Sequence, residues 1–166
     1  MSYVYLGVGS NQDPGRHVRL ALDALDASFG GLTLSPVYES EPVGFTGRNF
    51  LNLVVGLETD LSVGGLRNRL KELEEQFGRK RDGTVYGRGA LDIDVLLYDD
   101  LVGSFDGVEL PRPEIVLNAF VLRPLAEIAP DCRHPVLDLT FSELWANYDC
   151  RQRLWRVPFS WRGTEL

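Results

Sequence analysis

The sequence predicts an α+β fold with element order β-α-β-β-α-β, the split βαβ arrangement in which an antiparallel sheet carries its helices on one face. Three observations predict it. Apolar periodicity switches between two and 3.6 in that order along residues 3–98. Turn-forming residues sit near several of the switches, Gly9 to Asp13-Pro14, Gly30-Gly31 and Gly78 among them. The last run, Leu91-Asp92-Ile93-Asp94-Val95-Leu96-Leu97-Tyr98, alternates as a strand, with Leu91, Ile93, Val95 and Leu97 on one face and Asp92 and Asp94 on the other.

Each element has its own signal. Residues 3–8 are β-branched and aromatic, and Gly7-Val8-Gly9-Ser10-Asn11 reads as a tight connection from strand to helix. Asp13 suits an N-cap and Pro14 the first helical position. Val18, Ala21, Leu22, Leu25 and Phe29 then form a helical stripe that Gly30-Gly31 ends. Residues 32–38 alternate as a second strand, residues 42–47 have loop chemistry, and residues 50–57 form a third strand. A second helix starts near Ser62, buries Leu66, Leu70, Leu73 and Phe77, and has Gly78 placed as a C′ residue. Residues 79–89 are a basic, glycine-bearing loop before the fourth strand. Beyond it, Asp106-Gly107 predicts an edge hairpin over 102–110. Residues 118–128 read as helix despite Pro124, and 140–148 as a short helix capped by Thr140. The region of Trp145, Trp155 and Trp161 is expected to cover the sheet or an edge. No repeat or linker composition divides the 166 residues, so a single domain spanning 1–166 is expected.

A formal charge of −7 disfavours a nucleic-acid-coating role, which needs excess Lys and Arg, while leaving room for a small phosphorylated ligand. Cys132 and Cys150 are too few for a disulfide framework or a thiolate zinc site. The N-terminal residues lack a signal-peptide pattern, and no run has the apolar length of a membrane span, so a cytoplasmic protein without a membrane partner is expected. His17 and His134 lack metal-ligand spacing and read as surface or capping residues. Covalent acyl chemistry is disfavoured, because no Ser-His-Asp or Cys-His pattern is visible.

The chemistry concentrates around Asp92 and Asp94. Alternate positions on a strand lie roughly 6.5–7 Å apart, near enough for both carboxylates to serve one cation or an adjacent pair. A solvated strand face is the alternative for the motif alone, and Asp-x-Asp also occurs in metal-dependent nucleotide-sugar enzymes. The upstream loop adds Arg79, Lys80, Arg81 and Arg88, and Glu74 lies one turn before the second helix ends. Cations beside paired carboxylates suit a polyphosphate whose magnesium the carboxylates bind. Phe50 and Asn52 share a strand face, offering a ring and an amide to a flat heterocycle.

These pieces together resemble the 6-hydroxymethyl-7,8-dihydropterin pyrophosphokinases of folate biosynthesis. The resemblance runs through Tyr5-Leu6-Gly7-Val8-Gly9-Ser10-Asn11, Tyr38 to Gly44, Phe50-Leu51-Asn52, Glu74, Gly78-Arg79-Lys80-Arg81 and Leu91 to Tyr98. It closes with Leu110-Pro111, Ala119-Phe120-Val121-Leu122 and residues 124–130. It implies a ferredoxin-like core with C-terminal additions. The implied reaction moves pyrophosphate from ATP to the pterin hydroxymethyl group, with two magnesium ions. By this resemblance Asp92 and Asp94 hold the metals, and Ser40, Val43, Phe50, Asn52 and Phe120 take the pterin. Glu74, Arg81, Tyr86, Arg88, Val95 and Arg112 meet ATP, and Arg79, Arg81 and Asp94 serve the transfer. A monomer or weak homodimer is expected.

The chain departs from the family pattern in three places. Arg88-Gly89-Ala90 stands where Pro-Arg-Thr is common, Arg112 where histidine is common, and Asn118 where arginine is typical. A pterin-binding paralogue with weak or lost pyrophosphoryl transfer is therefore the alternative.

Overall fold

A computed structural model describes residues 1–80, 82–87, 89–149 and 151–166. Strand β1 (Ser2–Ser10) leads through helix α1 (Pro14–Phe29) to the short strands β2 (Thr33–Leu34) and β3 (Val37–Ser40). Strand β4 (Phe50–Thr59), helix α2 (Val63–Phe77) and strand β5 (Asp92–Tyr98) complete the first half. The main sheet has the order β5-β1-β4-β3, every pair antiparallel, with β2 also on β4.

Helices α1 and α2 pack on one face of this sheet, as expected. Val18, Leu22 and Leu25 of α1 and Leu66, Leu70 and Leu73 of α2 meet Val4, Leu6, Val8, Leu53, Val55, Ile93 and Val95 in one buried cluster. Ser62 caps α2 by accepting from the Gly65 amide at 3.1 Å.

Of the C-terminal additions, the helices cover the opposite face, while Val108, Leu110 and Phe159 join the first cluster. A hairpin of β6 (Gly103–Phe105) and β7 (Val108–Leu110) precedes helices α3 (Glu114–Leu117), α4 (Ala119–Ile128) and α5 (Phe141–Ala146). Leu122 and Leu125 of α4 and Phe141 of α5 bury Val54, Leu96 and Leu97 in a second cluster. Thr140 and Glu143 close α5 with a capping box. Strand β8 (Leu154–Val157) then pairs with the free side of β3, placing Trp155 opposite Glu39 on the sheet edge. The short strands β9 (Ser160–Trp161) and β10 (Thr164–Glu165) follow, and Trp161 Nε1 donates to Asp23 of α1 at 2.9 Å.

Several expectations change. Residues 32–38 are two short strands, because Pro36 has no amide to donate and Ser35 instead exchanges hydrogen bonds with Val54. Gly7 and Gly9 lie inside β1 and not in a turn. Leu97 does not share a face with Ile93 and Val95. A register shift pairs Tyr5 with Leu97 but Leu6 with Val95, so the bulge at Leu96 turns Leu97 towards α4. Gly78 is right-handed at φ −75°, and Asp13 caps α1 by position only, its φ of 45° being left-handed. The 102–110 hairpin forms its own two-stranded sheet. Both histidines are buried. His17 places Nδ1 2.5 Å from the Gln12 carbonyl and Nε2 3.0 Å from that of Phe77, tying the start of α1 to the end of α2.

Candidate active site

The register of the central strands builds the site. Gly7 sits between Asp94 on β5 and Val54 on β4, and Gly9 between Asp92 and Asn52. Side chains of directly opposed residues share a face, so both aspartates and Asn52 stand beside positions with no side chain. The result is a trough with a bare backbone floor. A Cβ on Gly9 would lie 2.8 Å from Asn52 Oδ1, so an alanine there would displace the amide.

Above this floor lies a cleft of about 370 Å³ whose lining includes Ser40, Phe50, Asn52, Asp92, Asp94 and Phe120. Asn52 is buried, and its Nδ2 donates to the buried Ser40 Oγ at 2.9 Å, which leaves the amide oxygen facing Gly9. Phe50 meets Phe45 edge to face at 6.2 Å, and Phe45 and Val43 stand exposed on the loop that rims the cleft.

A second compartment of about 400 Å³ adjoins the first. Arg67, Lys71 and Glu74 of α2 line it on one side, with Arg112 and Glu114 on the other. Asp94, Arg112 and Glu114 border both compartments. Arg112 bridges the two carboxylates, 3.6 Å from Asp94 and 3.1 Å from Glu114.

The electrostatics of this junction favour a cation. Burial pushes the Asp94 carboxyl above its ordinary range, Arg112 opposes the shift, and Glu114 adds to it. Burial also pushes Glu74 up to about 7; the Ile93 amide, donating to Glu74 Oε2 at 3.0 Å, pulls the other way, and Asp92 and Asp94 raise it further. Among the described residues no three His, Cys, Asp or Glu side chains form a closed metal cage. Paired carboxylates in an open cleft fit magnesium, which takes hard oxygen donors and keeps several positions for water and phosphate.

Most of the expected residues gather here: Ser40, Val43, Phe50, Asn52, Asp92, Asp94 and Phe120 in the first compartment, Glu74 and Val95 in the second, and Arg112 in both. Val95 is buried towards α1 and α2, so its side chain serves the core as well. Two expected residues stand elsewhere. Arg79 is exposed and pairs with Val85 in a β-bridge, flanked by backbone bonds from Lys80 to Thr84 and from Tyr86 to Gly78. Tyr86 packs edge to face on His17 at 4.6 Å, in a separate depression with Asn11, Gln12 and Lys80. Arg81 and Arg88 lie outside the described residues. Gly89 closes the loop on β1, its carbonyl accepting from Asn11 at 2.9 Å; its φ of +89° suits glycine, and a Cβ would meet Asn11 Oδ1 at 2.6 Å.

Sequence reasoning missed Arg67, Lys71, Glu114 and the role of the two glycines. A signal existed for the first two: positions 67, 71 and 74 fall on one helical stripe ending at Glu74.

A family profile described as 7,8-dihydro-6-hydroxymethylpterin-pyrophosphokinase (HPPK) matches residues 5–130, which hold both compartments. The chain belongs to that family. Similar proteins include the 2-amino-4-hydroxy-6-hydroxymethyldihydropteridine pyrophosphokinase of Aquifex aeolicus, 36% identical over 138 residues, covering 82% of this chain and 86% of that one. The Pseudomonas aeruginosa protein of the same name is 35% identical over 136 residues, covering 80% and 83%. The one from Porphyromonas gingivalis is 40% identical over 138 residues, covering 78% and 92%. Among solved structures, the HPPK-DHPS of Plasmodium falciparum shares the fold at a TM-score of 0.70 with 13% identity. It covers 89% of this chain, which spans only 44% of that longer protein. Residues 131–166 of this HPPK family member lie beyond the profile. Among the described residues no helix is long and apolar enough to cross a membrane.

Proposed function

We propose that residues 1–166 act as a single HPPK unit that moves pyrophosphate from ATP to 6-hydroxymethyl-7,8-dihydropterin, giving AMP and the pterin diphosphate. The observation that carries this reading is the shared wall: Asp94, Arg112 and Glu114 border both compartments, so two ligands seated side by side would meet there. The first compartment suits the flat heterocycle. Phe50 and Phe120 supply ring faces, and Asn52 and Ser40 supply donors and acceptors for its polar edge. The second suits the nucleotide, with Arg67 and Lys71 to neutralise phosphate charge and Glu74 at its inner end.

The hydroxymethyl oxygen attacks the β-phosphorus in line, the new O–P bond forms, and the bond to the α-phosphate bridging oxygen breaks. This chain's contribution is alignment and charge. The bare floor at Gly7 and Gly9 lets the heterocycle lie close to the sheet, and Arg112 carries positive charge to the junction. Asp92 and Asp94 would hold magnesium, two ions in this reading, and the bound metal supplies charge neutralisation on the triphosphate. Asp94 stands on the shared wall, where its carboxylate can accept the hydroxyl proton. Arg79 and Tyr86 belong to a loop that this reading assigns to closure over ATP, which excludes water, and the same reading gives Arg81 and Arg88 to ATP. A cytoplasmic monomer or weak homodimer without nucleic-acid or membrane partners completes the reading.

The test is product analysis with Mg-ATP and the reduced pterin. Stoichiometric AMP and pterin diphosphate are expected; ADP, or no turnover at any enzyme concentration, refutes the assignment. A binding paralogue is the second reading. It is favoured by the neutral Asn118, whose side chain accepts from Gln152 at 3.0 Å. Tight pterin binding with no AMP release would select it.

A further inference from the structure

We infer that Gln152, in the C-terminal segment beyond the family match, is a positioning residue for the heterocycle compartment. This inference rests on the pterin reading of that compartment. Helix α4 begins at Ala119, and its N-cap residue, Asn118, makes no side-chain cap bond to the first turn. Gln152 supplies one from a distance of 33 residues: its Oε1 accepts from the Ala119 amide at 2.8 Å. Its Nε2 reaches the other side of the α3–α4 junction, 3.2 Å from the Leu117 carbonyl and 3.0 Å from Asn118 Oδ1. One amide therefore clasps the last residue of α3, the linker residue and the first residue of α4.

The next residue along α4 is Phe120, an aromatic wall of the cleft. Two residues beyond Gln152, Leu154 enters β8 directly opposite Ser40, which accepts from Asn52 on the other wall. A span of three residues thus joins the strand that carries Ser40 to the helix turn that carries Phe120. A ring held in place before the ligand arrives costs less ordering on binding than a ring that must be fixed then. The predicted consequence is selective: the clasp governs pterin affinity and leaves the nucleotide compartment, lined from α2, β5 and residues 107–114, untouched.

Gln152→Met keeps the length of the side chain and removes its hydrogen bonds. The pterin KM and calorimetric Kd are expected to rise about tenfold, a shift of about 1.4 kcal/mol, with ATP KM within twofold and kcat within threefold. Amide hydrogen exchange should speed up at Ala119 and Phe120, with no change in β1. Unchanged pterin affinity in the variant, or parallel losses in both substrates together with faster exchange in β1, would overturn the inference. Wild-type protein that binds no pterin would instead overturn the pocket assignment, and the clasp role with it.

Discussion

Replacing Gly9 with alanine puts a methyl carbon 2.8 Å from Asn52 Oδ1, when ordinary contact begins at about 3.4 Å. The amide oxygen must retreat by roughly 0.6 Å, which stretches the 2.9 Å bond from Asn52 Nδ2 to Ser40 Oγ to or beyond the limit of a hydrogen bond. Both partners are buried, so their unmet polar groups cost about 1–3 kcal/mol. Alanine in place of glycine within a strand returns about 0.5–1 kcal/mol. The net expectation is a melting temperature lowered by about 2–4 °C and pterin affinity weakened about tenfold or more. Gly7→Ala is the internal control, because its nearest neighbour is Leu96 Cδ2 at 3.4 Å, and its melting temperature should hold or rise. Calorimetric titration with the pterin, alongside thermal unfolding, reads both quantities. A Gly9→Ala variant with wild-type pterin affinity would refute the claim that Asn52 faces the ligand across a bare floor.

Other consequences follow from single groups. The Glu74 carboxyl, ordinarily near 4.5 and here about 7, binds its proton more tightly folded than unfolded, so stability should fall as pH rises from about 4.5 to 7. Glu74→Gln should flatten that slope in urea unfolding without magnesium; a slope unchanged in the variant would assign it to another group. Arg112→Met removes the cation between Asp94 and Glu114 and should weaken ATP binding about tenfold, read by titration with a non-hydrolysable analogue. Thr140→Ala breaks the capping box of α5 and should cost about 1 kcal/mol in denaturant unfolding with KM values unchanged, since α5 lines neither compartment.

The core was legible where periodicity and local chemistry agree. Val18 to Leu25, Ser62 with Leu66 to Leu73, and the Asp-x-Asp run each specify their own element, and antiparallel pairing does the rest. Leu97 was not legible, because a one-residue bulge reverses side-chain facing without any marker in the alternation. The same limit hid the trough. Gly7 and Gly9 look like turn residues until the register sets them beside Asp94, Asp92 and Asn52. Arg112 and Glu114 meet Asp94 only through the path of the 102–114 segment, and Gln152 reaches Ala119 only because β8 returns along β3. Such long-range pairings leave no local pattern to read. His17 misled for a related reason: a single histidine gives no sign that two distant carbonyls will enclose it.

The most direct test of the account is the magnesium dependence of nucleotide binding in wild type, Asp92→Ala and Asp94→Ala, titrated with a non-hydrolysable ATP analogue. Wild-type affinity should climb steeply with magnesium, and each substitution should abolish most of that climb together with AMP formation. Magnesium-dependent binding and turnover that persist at wild-type levels in both variants would contradict it.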